Sequence, residues 1–291
     1  MLNAIDSFIK IILKLFVLIL LLFVALAFFS SPSSKSSVNL VELEIHGPIM
    51  DIKEWMQEID DLLESPQIKG VLINIDSPGG GLSQSIELSD AIARLVEQKK
   101  VIAYVSGTMA SGSLYAALSA PKIIANRGAV IGSIGVLTSS IDASELLDKI
   151  GLKDQSINSG KYKQAGTPMR PWNDYEKEFL QKLSDDSYSL FTRDVARARK
   201  LDTTKLSDWA DAKVFLAHEA LKLGLIDEVS DYYGAKIQMA QMVENPTWAA
   251  KKKTLMQQIK SELGSMANFV AKSFAQGFAQ GLSSKQELLA Q

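Results

Sequence analysis

Ser111 stands in the stretch Ser106-Gly107-Thr108-Met109-Ala110-Ser111-Gly112-Ser113-Leu114-Tyr115, directly after the apolar run Val101-Ile102-Ala103-Tyr104-Val105. The run reads as a buried strand, and the Ala/Leu stretch through Ala120 reads as a helix. A serine at such a junction has its hydroxyl pushed into the open, beside the free N–H groups of the helix's first turn. Those are the parts of an acyl-transfer site: a nucleophile, and donors for the oxyanion its attack creates. The same small residues would equally serve a plain tight turn.

The rest of the composition narrows what could activate that serine. The chain has no cysteine and only two histidines, His46 and His218. Disulfides, thiolate catalysis and cysteine metal sites are excluded. The two histidines fall on the first strand and within an apolar helix, so a Ser-His-Asp triad and a zinc site both fit poorly. Asp60-Asp61 and Asp185-Asp186 are adjacent on helical patterns and point apart. Gly79-Gly80-Gly81 lacks the lysine and hydroxyl of a phosphate-binding loop. No cofactor is implied. With 31 basic and 33 acidic residues, nothing points to nucleic acid. A lysine amine remains as base. It must be neutral, which requires the ordinary pKa of about 10.4 to fall by about three units through burial away from carboxylates. Ser159 to Pro168 offers Lys161 and Lys163 and no Asp or Glu.

Elements must bring these groups together. Val38 to Ile49 alternates apolar positions and reads as a strand; Trp55, Met56, Ile59, Leu62 and Leu63 share one helix face before Pro66. Val71 to Ile75 is a second strand, leading into the turn Asp76-Ser77-Pro78-Gly79-Gly80-Gly81. Ile86 to Val96 is helical, and Lys122 to Ala125 is a further strand. Arg127 to Val136 is glycine-spaced and reads as a tight strand and turn. Asp142 to Ile150 is a short helix, and Asn173 caps a long helix reaching about Arg199. Phe215 to Leu223 reads as a helix ending at Gly224, before a strand over Leu225 to Val229. Alternating strands and helices imply a mostly parallel, layered α/β sheet, whose ligands bind outside the carboxyl ends of the strands. The glycine turn and the Ser111 loop both lie there.

The flanks differ from this body. Residues 1–10 precede an apolar run over 11–29, near the length of ~20 residues that spans a bilayer. Lys10 and Lys14 favour a cytoplasmic N-terminus, which leaves the body outside the cytoplasmic membrane. A cleaved leader ending near Ala25-Leu26-Ala27 is the rival reading. Residues 30–37 are a Ser/Pro-rich linker, 38–245 the folded domain, and 246–291 a tail with Lys251-Lys252-Lys253. In the tail, Leu255, Ile259, Leu263, Met266, Val270, Phe274 and Phe278 recur at helical spacing. That amphipathic helix suits a membrane surface or a neighbouring subunit.

Four motifs in order resemble the signal peptide peptidase A family of membrane-anchored serine proteases, in its short single-domain form. They are Asp76-Ser77-Pro78-Gly79-Gly80, Met109 to Tyr115, Gly132-Ser133-Ile134-Gly135-Val136, and Ser159-Gly160-Lys161-Tyr162-Lys163. The family often has glycine where Ser113 stands and an acidic residue where Gln164 stands. The resemblance implies a layered fold of the Clp protease and crotonase class. It implies Ser111 as nucleophile, Lys163 as general base, Ser133 hydrogen-bonding the lysine, and the N–H groups of Gly112 and of Gly79 or Gly80 as oxyanion hole. It further implies a homo-oligomeric ring in which serine and lysine can come from neighbouring chains, and cleavage of remnant signal peptides and other hydrophobic peptides at the membrane. The alternatives are an acyl-CoA-processing enzyme of the crotonase class and a non-catalytic anchored scaffold.

Overall fold

The structure, a computed structural model, describes residues 38–250 of the 291-residue chain. The chain divides into two units, Met1–Ala249 and Ala250–Gln291, and the fold described is that of the first. The expected anchor over 11–29, the linker over 30–37 and the apolar pattern of the tail lie outside the described residues. Among the described residues, no helix is long and apolar enough to cross a membrane.

The elements run β1 (Leu40–His46), α1 (Lys53–Glu64), β2 (Gly70–Ser77), α2 (Leu82–Gln98), β3 (Lys100–Ala110), α3 (Gly112–Ala117), β4 (Ile123–Ala125), β5 (Val130–Gly132), α4 (Ser144–Lys149), α5 (Asp174–Arg199), α6 (Leu206–Trp209), β6 (Val214–Leu216), α7 (Ala217–Lys222), β7 (Glu228–Val229) and α8 (Tyr232–Gln241). Strands β1, β2, β3, β4 and β7 lie side by side in that order, all parallel. β5 runs parallel to the far end of β3, and β6 pairs antiparallel with β5.

Central strands of this sheet are covered on both faces, which is why they read as apolar runs rather than alternations. Val71, Ile73 and Ile75 of β2 join Val101, Ala103 and Val105 of β3 in the main core, together with Ile59 of α1, Leu88, Ile92 and Leu95 of α2, and Leu114 of α3. Leu72, Ile102, Tyr104 and Ile124 face the other way and pack with Ala235 and Met239 of α8. Each such aliphatic side chain, fully buried, contributes about 1.5–3 kcal/mol of transfer free energy. Edge strand β1 keeps its alternation at the end, with Leu43 and Ile45 buried and Glu44 and His46 exposed.

Several elements differ from expectation, and the strand expected over Leu225 to Val229 is confined to Glu228–Val229. β3 does not stop at Val105 but continues to Ala110, because Thr108 to Ala110 gain a partner in β5 and Asp76 Oδ1 accepts the Thr108 N–H at 2.8 Å. Gly107 leaves room for that carboxylate, which a Cβ there would displace. The helix expected from Phe215 begins only at Ala217, as Val214 to Leu216 pair with β5 instead. α6 and α8 were not anticipated. The long helix α5 is as read, with the Glu176 carboxylate accepting the Asn173 N–H at 2.9 Å in its first turn.

Candidate active site

Ser111 sits between β3 and α3 with φ 53° and ψ −122°. A side-chain-bearing residue reaches that region only under constraint, at a cost on the order of 1–3 kcal/mol. The constraint is visible: its N–H donates to Gly132 O at 2.8 Å, and its carbonyl accepts the Tyr115 N–H at 3.1 Å. Its Oγ has no hydrogen-bond partner among the described residues and is only half-buried.

The glycine turn after β2 closes on this serine. Gly79 has φ 92°, and a Cβ on it would lie 2.5 Å from both Ala110 O and Gly112 N. Ile49 pins the turn from outside, donating to Gly79 O and accepting from Gly81 N, each at 2.9 Å. The Gly79 N–H is engaged by Ser77 Oγ at 3.2 Å. The Gly80 N–H and the Gly112 N–H, the latter in the first turn of α3, have no partner among the described residues. They are neighbours: a Cβ on Gly112 would stand 3.0 Å from Gly80 N. Of the two glycines named from the sequence, Gly80 is therefore the one with a donor to spare.

Ser113 was noted in the sequence only as a departure from the family pattern, yet it ties the two loops together. Its buried hydroxyl accepts from Ala110 N at 2.8 Å and lies within donating distance of Ser77 O, 2.7 Å, and Ala110 O, 2.9 Å. The sequence signal was a polar residue in an otherwise apolar helix start. α3 is only six residues long and is held by Tyr115, whose hydroxyl donates to Asp194 Oδ2 of α5 and whose ring packs on Phe191. Burial first, then the Asp194 carboxylate, raises the Tyr115 pKa, so this phenol stays a donor.

Ser133 follows Gly132, the residue that accepts the Ser111 N–H, and so stands beside the nucleophile turn with φ 51°. Its own N–H donates to Lys213 O at 2.6 Å. Lys163 is in the turn from Lys161 to Gly166 and is exposed. Its Nζ makes no hydrogen bond or ion pair among the described residues, to Ser111 and Ser133 included. Lys161 is committed otherwise, its Nζ 4.4 Å from the centre of the Tyr175 ring. The turn is braced on α5: Arg170 forms a two-pronged ion pair with buried Glu176, 2.8 Å on each prong, and reaches Gln164 Oε1 at 3.4 Å. The Arg170 guanidinium and the Asn173 N–H hold the Glu176 carboxyl down at about 2. Around this arm stand Leu137, Ile141 and Ile157, 85%, 80% and 101% exposed. His46 and His218 are both exposed, and among the described residues no group of three His, Cys, Asp or Glu is placed to hold a metal ion.

A constrained serine at the carboxyl end of a parallel strand, with two free N–H groups beside it, is the arrangement of a serine hydrolase: attack on a carbonyl with stabilisation of the resulting oxyanion. Residues 93–245 match the model of peptidase family S49, and the chain belongs to that family. It is 35% identical over 198 residues to a candidate protease of Methanocaldococcus jannaschii, covering 67% of this chain and 64% of that one. A candidate signal peptide peptidase SppA of Enterococcus faecium is 29% identical over 209 residues, 67% of this chain and 60% of its own length. The chloroplastic serine protease SPPA of Arabidopsis thaliana is 34% identical over 188 residues, 64% of this chain and 28% of its own. The chain thus spans less than two thirds of the length of these relatives.

Proposed function

We propose that the chain is a membrane-anchored serine endopeptidase, with Ser111 as nucleophile, Lys163 as general base and Ser133 orienting the amine. The observation that carries this reading is the pair of unpartnered N–H groups, Gly80 and Gly112, flanking the constrained Ser111. Ser111 Oγ attacks a peptide carbonyl and gives its proton to the neutral lysine. The two N–H groups hold the oxyanion, each worth on the order of 3 kcal/mol. The protonated lysine passes the proton to the leaving amine, and water then releases the acyl group. Substrates on this reading are hydrophobic peptides, remnant signal peptides among them, on the outer side of the cytoplasmic membrane.

The lysine comes from a neighbouring chain in a ring. Two observations support that. Lys163 Nζ makes no hydrogen bond with Ser111 in its own chain, and the segments on either side of its turn expose large apolar side chains of the kind that a subunit interface covers. Docking of the arm on the next subunit would also strip water from the amine, which favours its neutral form. The test is complementation. Ser111→Ala and Lys163→Ala proteins should each be inactive on an apolar fluorogenic peptide, and co-assembling them should restore part of the activity. Full activity in either single variant ends the dyad; inactive mixed rings, with mixing verified, end the shared site.

A further inference from the structure

The amino ends of β1, β2 and β3 border a groove of about 1110 Å³, at the opposite end of the sheet from Ser111. Lys69, Lys99 and Lys100 line it. Lys69 and Lys100 are exposed neighbours, the Lys100 N–H donating to Lys69 O at 2.9 Å. Lys99 is nine-tenths buried and donates from Nζ to Ser65 O at 2.8 Å. Burial, and next the Lys69 charge, lower its pKa. Among the described residues none of the three forms an ion pair, although Glu97 and Glu244 also border the groove. Three lysines thus meet at one rim with no ion-paired carboxylate among the described residues.

The same rim holds both exits of the body. Asn39 N and Leu40 N donate to Thr247 O at 3.0 and 3.1 Å, Asn39 Oδ1 accepts from Thr247 N at 2.8 Å, and Ala249 N donates to Leu40 O at 2.8 Å. In the sequence, the apolar run over 11–29 lies one short linker before this point, and Lys251-Lys252-Lys253 follows it at once. At about 3.3–3.6 Å per residue, a linker over 30–37 keeps the groove within about 30 Å of where the apolar run ends.

We propose that this groove faces the membrane and seats the headgroup of an anionic phospholipid, with Lys69 and Lys100 answering its phosphate. The proposal rests on the anchored reading of 11–29. It has a consequence for the substrate. β3 is eleven residues long, so the serine lies about 30 Å along the strand from the groove, and with the groove on the membrane it is held away from the headgroup layer. A peptide must therefore be drawn out of the bilayer before it is cut.

The chain has no cysteine, so one introduced thiol carries one label. Full-length protein carrying a bimane label through Gln67→Cys is reconstituted into phosphatidylcholine vesicles containing a headgroup-nitroxide lipid, with and without phosphatidylglycerol. Phosphatidylglycerol should raise quenching at position 67 by about twofold or more, and high salt or Lys69→Gln/Lys100→Gln should remove the gain. A label through Met50→Cys, exposed beyond the other end of β1, should not respond. Both lysines are exposed, so the double variant should melt like the parent, and its melt is recorded. Quenching that ignores lipid charge, appears equally at both labels, or survives the lysine substitutions overturns the proposal. Flotation on pure phosphatidylcholine vesicles reads the anchor separately: a chain that does not float overturns the anchored reading, whereas one that floats without charge-dependent quenching overturns only the groove.

Discussion

Gly79→Ala is the most informative small change in the oxyanion turn. The φ of 92° alone costs an alanine about 1–2 kcal/mol. The new methyl also has nowhere to go, since its nearest neighbours are Ala110 O, Gly112 N and Ser111 Cβ at 2.5, 2.5 and 2.9 Å. Two of these are backbone atoms of the nucleophile's own turn. Relief requires the turns to part by about 0.9 Å, the gap between 2.5 Å and the 3.4 Å at which ordinary contact begins. An oxyanion donor acts at 2.7–3.1 Å, so a displacement of that size removes one, which lowers kcat by about 10²- to 10³-fold. KM should change far less, because the lost interaction belongs to the transition state. Steady-state kinetics on an apolar fluorogenic peptide, with urea unfolding in parallel, separates the two effects: stability should drop by about 1–3 kcal/mol while the protein stays folded. Gly128→Ala is the control, its Cβ meeting only Asn126 Oδ1 at 3.5 Å, and should be silent. A folded Gly79→Ala protein with the parent kcat would refute the placement of the oxyanion hole.

Two further outcomes follow from the supports around the site. Tyr115→Phe leaves the nearly buried Asp194 with Arg197 but without its hydroxyl donor, and should lower the unfolding free energy by about 1–3 kcal/mol in urea; an unchanged midpoint would show that α3 is held by other means. Glu176 is held at about 2, below its ordinary value of 4.5, so its contribution is fully present above the ordinary carboxylate range and is lost as pH falls toward about 2. Melting temperature against pH should consequently decline more gently through that window in Glu176→Gln, and parallel curves would count against the brace.

Much of the architecture was legible because local and global preferences agree. Val71 to Ile75 is apolar but for Asn74 and is buried on both faces, and Asn173 announces the start of α5. Segments that failed are those whose conformation comes from distant partners. Ser106 to Ala110 has the composition of a loop and is a strand only because β5 and Asp76 pair with it. Val214 to Leu216 sits next to a helical pattern and is claimed by β5. α8 buries just Ala235 and Met239, too sparse a stripe to read as a face. At the site, the approach of Gly79 and Gly80 to Ser111 could be expected from strand ends alone. The choice of Gly80 over Gly79 as donor could not, because it depends on Ser77 Oγ occupying the Gly79 N–H. Lys163 was chosen by motif, and the ring contact of Lys161 with Tyr175 is what distinguishes the two amines in space.

Mass spectrometry of the protein treated with a serine-directed acylating inhibitor tests the central claim most directly, that a lysine amine makes the Ser111 alcohol reactive. The account predicts one adduct, on Ser111, in the parent protein and none in the Lys163→Ala protein. No adduct on Ser111, or an undiminished one without Lys163, would contradict it.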